Sequence, residues 1–121
     1  MTSLSEKTIN NSLTRANKKE IVGWGLPDYS ARIDLATGTT EKTYQAPSKG
    51  WIGYGFLMQG NETGYVKVND VTIISNKPAG GNYFDFVSGL IPVDKNDVIK
   101  YYSNQASGEF NNFQFYPVKG A

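Results

Sequence analysis

The sequence contains neither cysteine nor histidine. Without cysteine the chain has no disulfide, no thiolate nucleophile and no cysteine-bound zinc. Without histidine it lacks the usual general base near neutral pH, the imidazole of a catalytic triad and the commonest metal ligand in proteins. These absences disfavour an enzyme, although carboxylates alone can catalyse some reactions. We therefore expect a non-enzymatic protein that needs no metal and no cofactor.

An excess of one charge is also missing. Twelve lysines and arginines oppose eleven acidic residues, so the formal net charge is +1, and neither sign forms a long run. Nucleic-acid binders usually carry a clustered basic surface, and binders of anionic membranes need a polybasic cluster or a basic amphipathic helix. Arg15, Lys18 and Lys19 are too few and lie among polar residues. The sequence therefore predicts no nucleic-acid partner and no membrane insertion.

Long hydrophobic runs are absent as well. Residues 1–11 lack the apolar centre of a secretory signal peptide, and no stretch approaches the ~20 apolar residues of a membrane span. We expect a soluble chain that is made in the cytoplasm, or one that leaves the cell without a cleaved signal.

What the sequence does contain is a series of short aromatic and β-branched segments between Tyr44 and Pro117, separated by Gly, Asn, Asp, Ser or Pro. Such segments suit a pleated, half-buried surface, and the separating residues favour turns. We expect strands over residues 31–35, 42–46, 50–58, 64–69, 71–75, 83–88, 98–103 and 110–118. Eight short antiparallel strands without an intervening helix predict an all-β fold, a jelly-roll-like β-sandwich.

Two local features refine this prediction. Asn69 and Asp70 tolerate positive φ, as a two-residue hairpin turn requires, and they separate two segments of alternating pattern. Trp51 opens a strand in which Ile52 and Tyr54 alternate, so we expect it to be largely buried at the edge of the core.

The first 30 residues differ from the rest of the chain. Residues 1–20 are polar, but Ile9, Leu13 and Ala16 would share one face of a helix. This pattern fits a stalk that packs against its copies in an oligomer, and equally a frayed helix on its own domain or a partly disordered tail. Residues 21–30 form a linker, whose Trp24 is expected to seat it against the β-domain of residues 31–121 rather than to form an exposed ligand platform.

If each strand runs antiparallel to the previous one, the loops divide between two ends of the sandwich. The end opposite the N-terminal segment, which we call the distal end, collects residues 36–41, 59–63, 76–82 and 104–109. Its small amides and hydroxyls suit hydrogen bonding to glycans, and loops on a rigid scaffold often carry recognition residues; ordinary solvated turns would have the same composition. The candidate ligand-binding residues are Asn61, Glu62, Asn82, Tyr83, Asn104 and Gln105.

No catalytic or metal-binding motif accompanies these loops. Gly80 and Gly81 lack the lysine and the strand–loop–helix context of a phosphate loop. The aspartates are scattered without the spacing of a calcium loop. We therefore assign no catalytic residue and no metal ligand.

Five segments resemble the C-terminal jelly-roll domains of bacteriophage tail-fibre and receptor-binding proteins. They are VGWGLPDYS at 22–30, YQAPSKGWI at 44–52, KVNDVTII at 67–74, IPVDKNDV at 91–98 and FYPVKG at 115–120. The resemblance implies a homotrimer in the virion that binds a surface sugar or protein of the host with its tip. The chain begins at Met1 without a fibre shaft, as expected for a stand-alone tip protein, a fragment or a minor virion component.

Three functions are compatible with these observations. The first is a non-enzymatic virion adhesion module that recognises a bacterial surface glycan through its distal loops. The alternative is a structural virion protein of the baseplate or capsid surface, which docks only on other virion proteins. The third is a carbohydrate-active enzyme that works with two carboxylates.

Overall fold

The computed structural model describes residues 25–105 and 111–120 of the chain. A 3₁₀ turn at Tyr29–Ala31 is the one helical element in these ranges. The strands that follow are β1 Ile33–Asp34, β2 Lys42–Gln45, β3 Gly50–Gln59, β4 Gly64–Val68, β5 Val71–Asn76, β6 Phe84–Val93, β7 Val98–Tyr102 and β8 Asn111–Pro117. The predicted helix over residues 1–20 and the predicted burial of Trp24 lie outside the described residues. No helix in the described ranges is long and apolar enough to cross a membrane.

The strands form two antiparallel sheets of four strands each, in the orders β1-β8-β3-β6 and β2-β7-β4-β5. Consecutive strands mostly cross from one sheet to the other, and β8 returns to lie between β1 and β3. Two facing sheets in this order form a jelly roll. The predicted all-β fold class is confirmed.

The core lies between the sheets and is dominated by aromatic contacts. Phe113 of β8 stacks on Phe56 of β3 with ring centroids 5.7 Å apart, and it meets Tyr101 of β7 across the core at 4.2 Å. Ile52 and Met58 of β3 are fully buried beside them. Burying each such side chain contributes on the order of 1.5–3 kcal/mol to folding, so these inward positions hold the two sheets together.

The hairpin between β4 and β5 turns as predicted. Asn69 and Asp70 have φ values of 51° and 66°, the positive values that a two-residue turn of type I′ requires. Beyond the turn, the register shifts between Val66 and Lys67, so Val66 lies opposite Ile74. This β-bulge leaves Ile73 without a partner in β4. The pairing beyond it is therefore displaced by one residue from that of a regular hairpin.

Strand β6 is longer than predicted. It continues to Val93 and pairs with all ten residues of β3, whereas the predicted strand ended at residue 88 and left residues 89–93 outside it. Gly89 and Pro92 gave that segment the composition of a loop. Because β6 is an edge strand, Pro92 can occupy it without breaking the ladder on both sides.

Trp51 is only partly buried and lies on the outer face of β3, not at the core. Alternation along β3 directs Ile52 and Phe56 inward and Trp51 outward. The indole Nε1 donates a hydrogen bond of 3.1 Å to the carbonyl oxygen of Gly25. Asp28 also donates its backbone N–H to the carbonyl of Pro117, at 2.8 Å. These two hydrogen bonds attach the start of the described chain to the sandwich.

Candidate functional site

Hydrogen bonds hold the predicted distal loops against one another and against strand β7. The backbone N–H of Gly60 donates to the carbonyl of Tyr83 at 3.1 Å. The hydroxyl of Tyr101 donates to the carbonyl of Ala36 at 2.7 Å. These contacts connect the β1–β2, β3–β4 and β5–β6 loops to the same end of the sandwich, so this end presents a single surface built from several loops.

Four of the six predicted ligand-binding residues are exposed on this surface: Asn61, Glu62, Asn82 and Tyr83. Tyr83 is 68% exposed, more than the nearby Phe84 and Phe86 of β6. Asn61 lies against Gly80, because a Cβ on that glycine would lie 2.6 Å from the Asn61 Oδ1. Gly80 has a φ of 119°, a conformation that favours glycine, so it brings the β5–β6 loop close to Asn61.

The other two predicted residues, Asn104 and Gln105, are half-buried and bonded within the protein. The side chain of Asn104 accepts from the backbone N–H of Gln59 at 3.1 Å and donates to its carbonyl at 2.7 Å. Gln105 donates its side-chain amide to the Asn104 Oδ1 at 3.1 Å. Asn104 thus ties the end of β3 to the residues that follow β7, which leaves its amide engaged with the backbone.

A second group of side chains lies at the distal end of the outer face of the β2-β7-β4-β5 sheet. We call Glu41, Glu62, Tyr65 and Tyr102 the tyrosine–carboxylate cluster. Tyr65 of β4 and Tyr102 of β7 are direct cross-strand partners, with ring centroids 5.8 Å apart. The Tyr102 hydroxyl donates to the Glu62 carboxylate at 2.8 Å, and the Tyr65 hydroxyl donates to Glu41. Lys67 Nζ lies 4.5 Å from the centroid of the Tyr65 ring.

The electrostatics of this cluster keep both tyrosine hydroxyls protonated. Burial, followed by the hydrogen bond and charge of Glu41, raises the pKa of Tyr65 to about 12. Burial and the hydrogen bond to Glu62 also raise the pKa of Tyr102. Each hydroxyl therefore remains a donor at neutral pH and orients one carboxylate. A carboxylate has about four lone-pair sites, so Glu41 and Glu62 keep acceptor capacity for a ligand.

A polar groove of about 320 Å³ lies beside β1 and the start of β8. Arg32 and Asp34 line it and form an ion pair at 3.0 Å. Asn111 also lines the groove and is 2% exposed; its Nδ2 donates to the carbonyl of Gln105, and its Oδ1 has no hydrogen-bond partner among the residues that the structure describes. A buried amide oxygen without a partner is costly, so a donor such as water or a ligand hydroxyl would stabilise this site.

Within the described ranges, no group of acidic side chains is arranged to hold a metal ion. Comparison of the chain with known protein families finds no match, and comparison with curated proteins finds none either. The site is therefore assigned from its own geometry.

Sequence reasoning identified Glu62 but missed its partners. Alternation directs Tyr65 and Tyr102 outward, but their contact depends on β4 lying next to β7 in the sheet. Glu41 was placed in a distal loop, with no sign that it would accept a hydrogen bond from Tyr65.

Proposed function

We propose that this protein is a non-enzymatic adhesion module of a virion, which recognises a bacterial surface glycan at its distal end. The observation that carries the proposal is the tyrosine–carboxylate cluster. It includes the exposed loop residue Glu62, which follows Asn61 in the chain, and it combines aromatic rings with oriented carboxylates.

This combination matches the chemistry of a sugar. The faces of a pyranose ring carry C–H groups that pack on aromatic rings, and its hydroxyls donate to carboxylates. Hydrogen bonds to charged acceptors are about twice as strong as neutral ones. Tyr65 and Tyr102 supply adjacent rings, while Glu62 and Glu41 supply acceptors that are already oriented. Asn61, Asn82 and Tyr83 extend this chemistry over the neighbouring loops.

The virion location and the host ligand rest on the resemblance to tail-fibre and receptor-binding domains. The absence of histidine and cysteine from the sequence supports binding without catalysis. The glycan proposal therefore includes the expectation that the protein leaves the bound polysaccharide intact.

The test is retention of the full chain on immobilised, purified bacterial surface polysaccharides. The variant Glu62→Gln removes the charge of the acceptor and is expected to weaken retention about tenfold, the effect of one charge-assisted hydrogen bond. The matched control is Asp70→Asn, at the hairpin turn of the same sheet. It neutralises a carboxylate that pairs with Lys100 at 3.0 Å, and retention should be unchanged.

Two results would contradict the proposal. One is a failure of the wild-type chain to bind any polysaccharide of a broad panel. The other is equal weakening by Glu62→Gln and Asp70→Asn, which would indicate a general charge effect. An increase in reducing sugar ends during incubation would favour the carbohydrate-active enzyme.

A structural virion protein that docks only on other virion proteins is the second candidate. Exposed apolar side chains on the β1-β8-β3-β6 sheet favour it, notably Phe84 and Phe86. Failure to retain polysaccharide together with firm association with virion proteins would support this alternative.

A further inference from the structure

The outer face of the β1-β8-β3-β6 sheet carries no charge over its three longest strands. Cross-strand register and burial assign the outward positions of β3, β6 and β8. We call these residues the neutral face: Trp51, Gly53, Gly55, Leu57, Gln59, Phe84, Phe86, Ser88, Leu90, Pro92, Asn112, Gln114 and Tyr116.

The opposite sheet is different. Its outer face carries Lys67, Lys100 and Asp70 in addition to the carboxylates of the tyrosine–carboxylate cluster. Two faces of one small sandwich therefore differ sharply in charge, although the whole chain is nearly neutral. Depletion of charge and enrichment of aromatic residues distinguish the centre of a protein–protein interface from ordinary surface.

Much of the neutral face is open to solvent. Phe84 is 57% exposed, Phe86 48% and Leu90 43%. Since a fully exposed aromatic residue offers about 200 Å², Phe84 and Phe86 alone present roughly 200 Å² of mostly apolar surface, to which Leu90 adds. Solvation of that area is unfavourable by about 25 cal/mol per Å², so covering the face would stabilise the protein.

The neutral face ends at strand β6. β6 is ten residues long, and among the described residues 25–105 and 111–120 it pairs with β3 alone. Along its other side, the Asn76 Nδ2 donates to the carbonyl of Asp85 at 3.1 Å. Natural proteins shorten, charge or cover long apolar edges because such edges pair with other chains. Asp85, Pro92 and the Asn76 bond protect this edge against strand pairing, so Phe84 and Phe86 would make a contact through the face of the sheet.

We propose that the neutral face is the surface through which copies of this chain associate. An uncharged face is complementary to itself, since two copies meet without burying an unpaired charge. The apolar surface at Phe84, Phe86 and Leu90 amounts to a substantial part of the ~800 Å² that each partner buries in a standard interface.

The start of the described chain supports a second copy as the occupant. Gly25, the first described residue, accepts a hydrogen bond from Trp51 of the neutral face, so the described chain begins beside this surface. The sequence before it carries the predicted apolar stripe of Ile9, Leu13 and Ala16, which fits copies of the chain as a packing partner. An association at the neutral face would thus place the first described residues of the copies beside the contact.

The test is light scattering of the full chain during size exclusion at micromolar concentrations. The double variant Phe84→Glu/Phe86→Glu places two carboxylates on the face and should weaken association at least about 30-fold, the effect of a hot-spot residue. The matched control is Val71→Glu, because Val71 is apolar, 62% exposed and on the other sheet. It should leave association unchanged.

A second variant, Leu90→Lys, is measured in case the double variant does not fold. It should also dissociate, while its circular dichroism spectrum stays like that of the wild type. A monomeric wild-type chain would overturn the proposal, as would association that survives both face variants. Dissociation by Val71→Glu to the same extent would move the contact to the other sheet. If the wild-type chain is a monomer and the double variant no longer binds polysaccharide, the face is a ligand platform instead.

Discussion

At the scale of single residues, the distal amides divide into two groups that their chemistry alone does not separate. Asn61 and Asn82 are exposed, whereas Asn104 is half-buried and bonded to the backbone at both ends of its amide. The bonds to Gln59 imitate a rung of the β-ladder at the point where β3 ends. This places Asn104 among the residues that shape the distal surface.

We predict that Asn104→Ala lowers the free energy of unfolding by about 1–3 kcal/mol, because the N–H and carbonyl of Gln59 each lose a partner in a half-buried position. Urea unfolding at neutral pH measures this change. The control is Asn82→Ala, an exposed loop position, which should stay within about 0.5 kcal/mol of wild type. Equal stabilities for the two variants would show that the side chain of Asn104 contributes no more than an ordinary surface amide.

Residue-level prediction from the sequence succeeded where a role depends on local context. The positive φ angles of Asn69 and Asp70 follow from their residue types and their place between two alternating segments. The pairing of Tyr102 with Glu62 could not be predicted, because 40 positions separate the two residues and their contact depends on the packing of loops.

At the scale of elements, β3 shows how glycine shapes a strand and its surroundings. Gly53 and Gly55 lie on its outer side, beneath the rings of Tyr116 and Phe86. Gly64, at the start of β4, faces inward instead. A Cβ on Gly64 would lie 2.5 Å from the Met58 sulfur and 2.7 Å from Phe56 Cε2, both in the fully buried core.

We predict that Gly64→Ala destabilises the fold by about 1–3 kcal/mol, because a methyl group there overpacks the core. The matched control is Gly55→Ala in β3, where the nearest atom is Phe86 Cζ at 3.3 Å. That ring is half exposed and can move aside, so the cost should be smaller. Thermal unfolding of both variants tests the difference, and a greater loss for Gly55→Ala would contradict this account of the core.

The positions of the strands were largely predictable from composition, and the main error has a clear cause. Short aromatic and β-branched segments between turn residues marked β2, β4 and β5 closely. β6 was cut short because Gly89 and Pro92 have the composition of a connection. Sequence alone did not indicate that β6 would lie at an edge, where proline is tolerated.

At the scale of the whole molecule, the jelly-roll class followed from the number and spacing of strands, but the strand order did not. That order determines which residues meet: it places β4 beside β7 to form the tyrosine–carboxylate cluster, and β3 beside both β6 and β8 to form the neutral face. The sandwich therefore has a charged outer side with the proposed glycan site and an uncharged outer side with the proposed contact between copies. Separate faces would allow adhesion and assembly to occur together.

Association through the neutral face predicts that thermal stability depends on protein concentration. If unfolding also separates the copies, mass action raises the melting temperature as concentration rises, by about 2–5 °C per tenfold increase for a chain of this size. The homotrimer expected from the sequence would follow the same relation. Scanning calorimetry over a hundredfold concentration range measures it. Phe84→Glu/Phe86→Glu should give a melting temperature that is independent of concentration, while Val71→Glu should retain the wild-type slope. A wild-type melting temperature that stays constant over the whole range would mean that the folded chain gains no stability from its copies, and the neutral face would then need another partner.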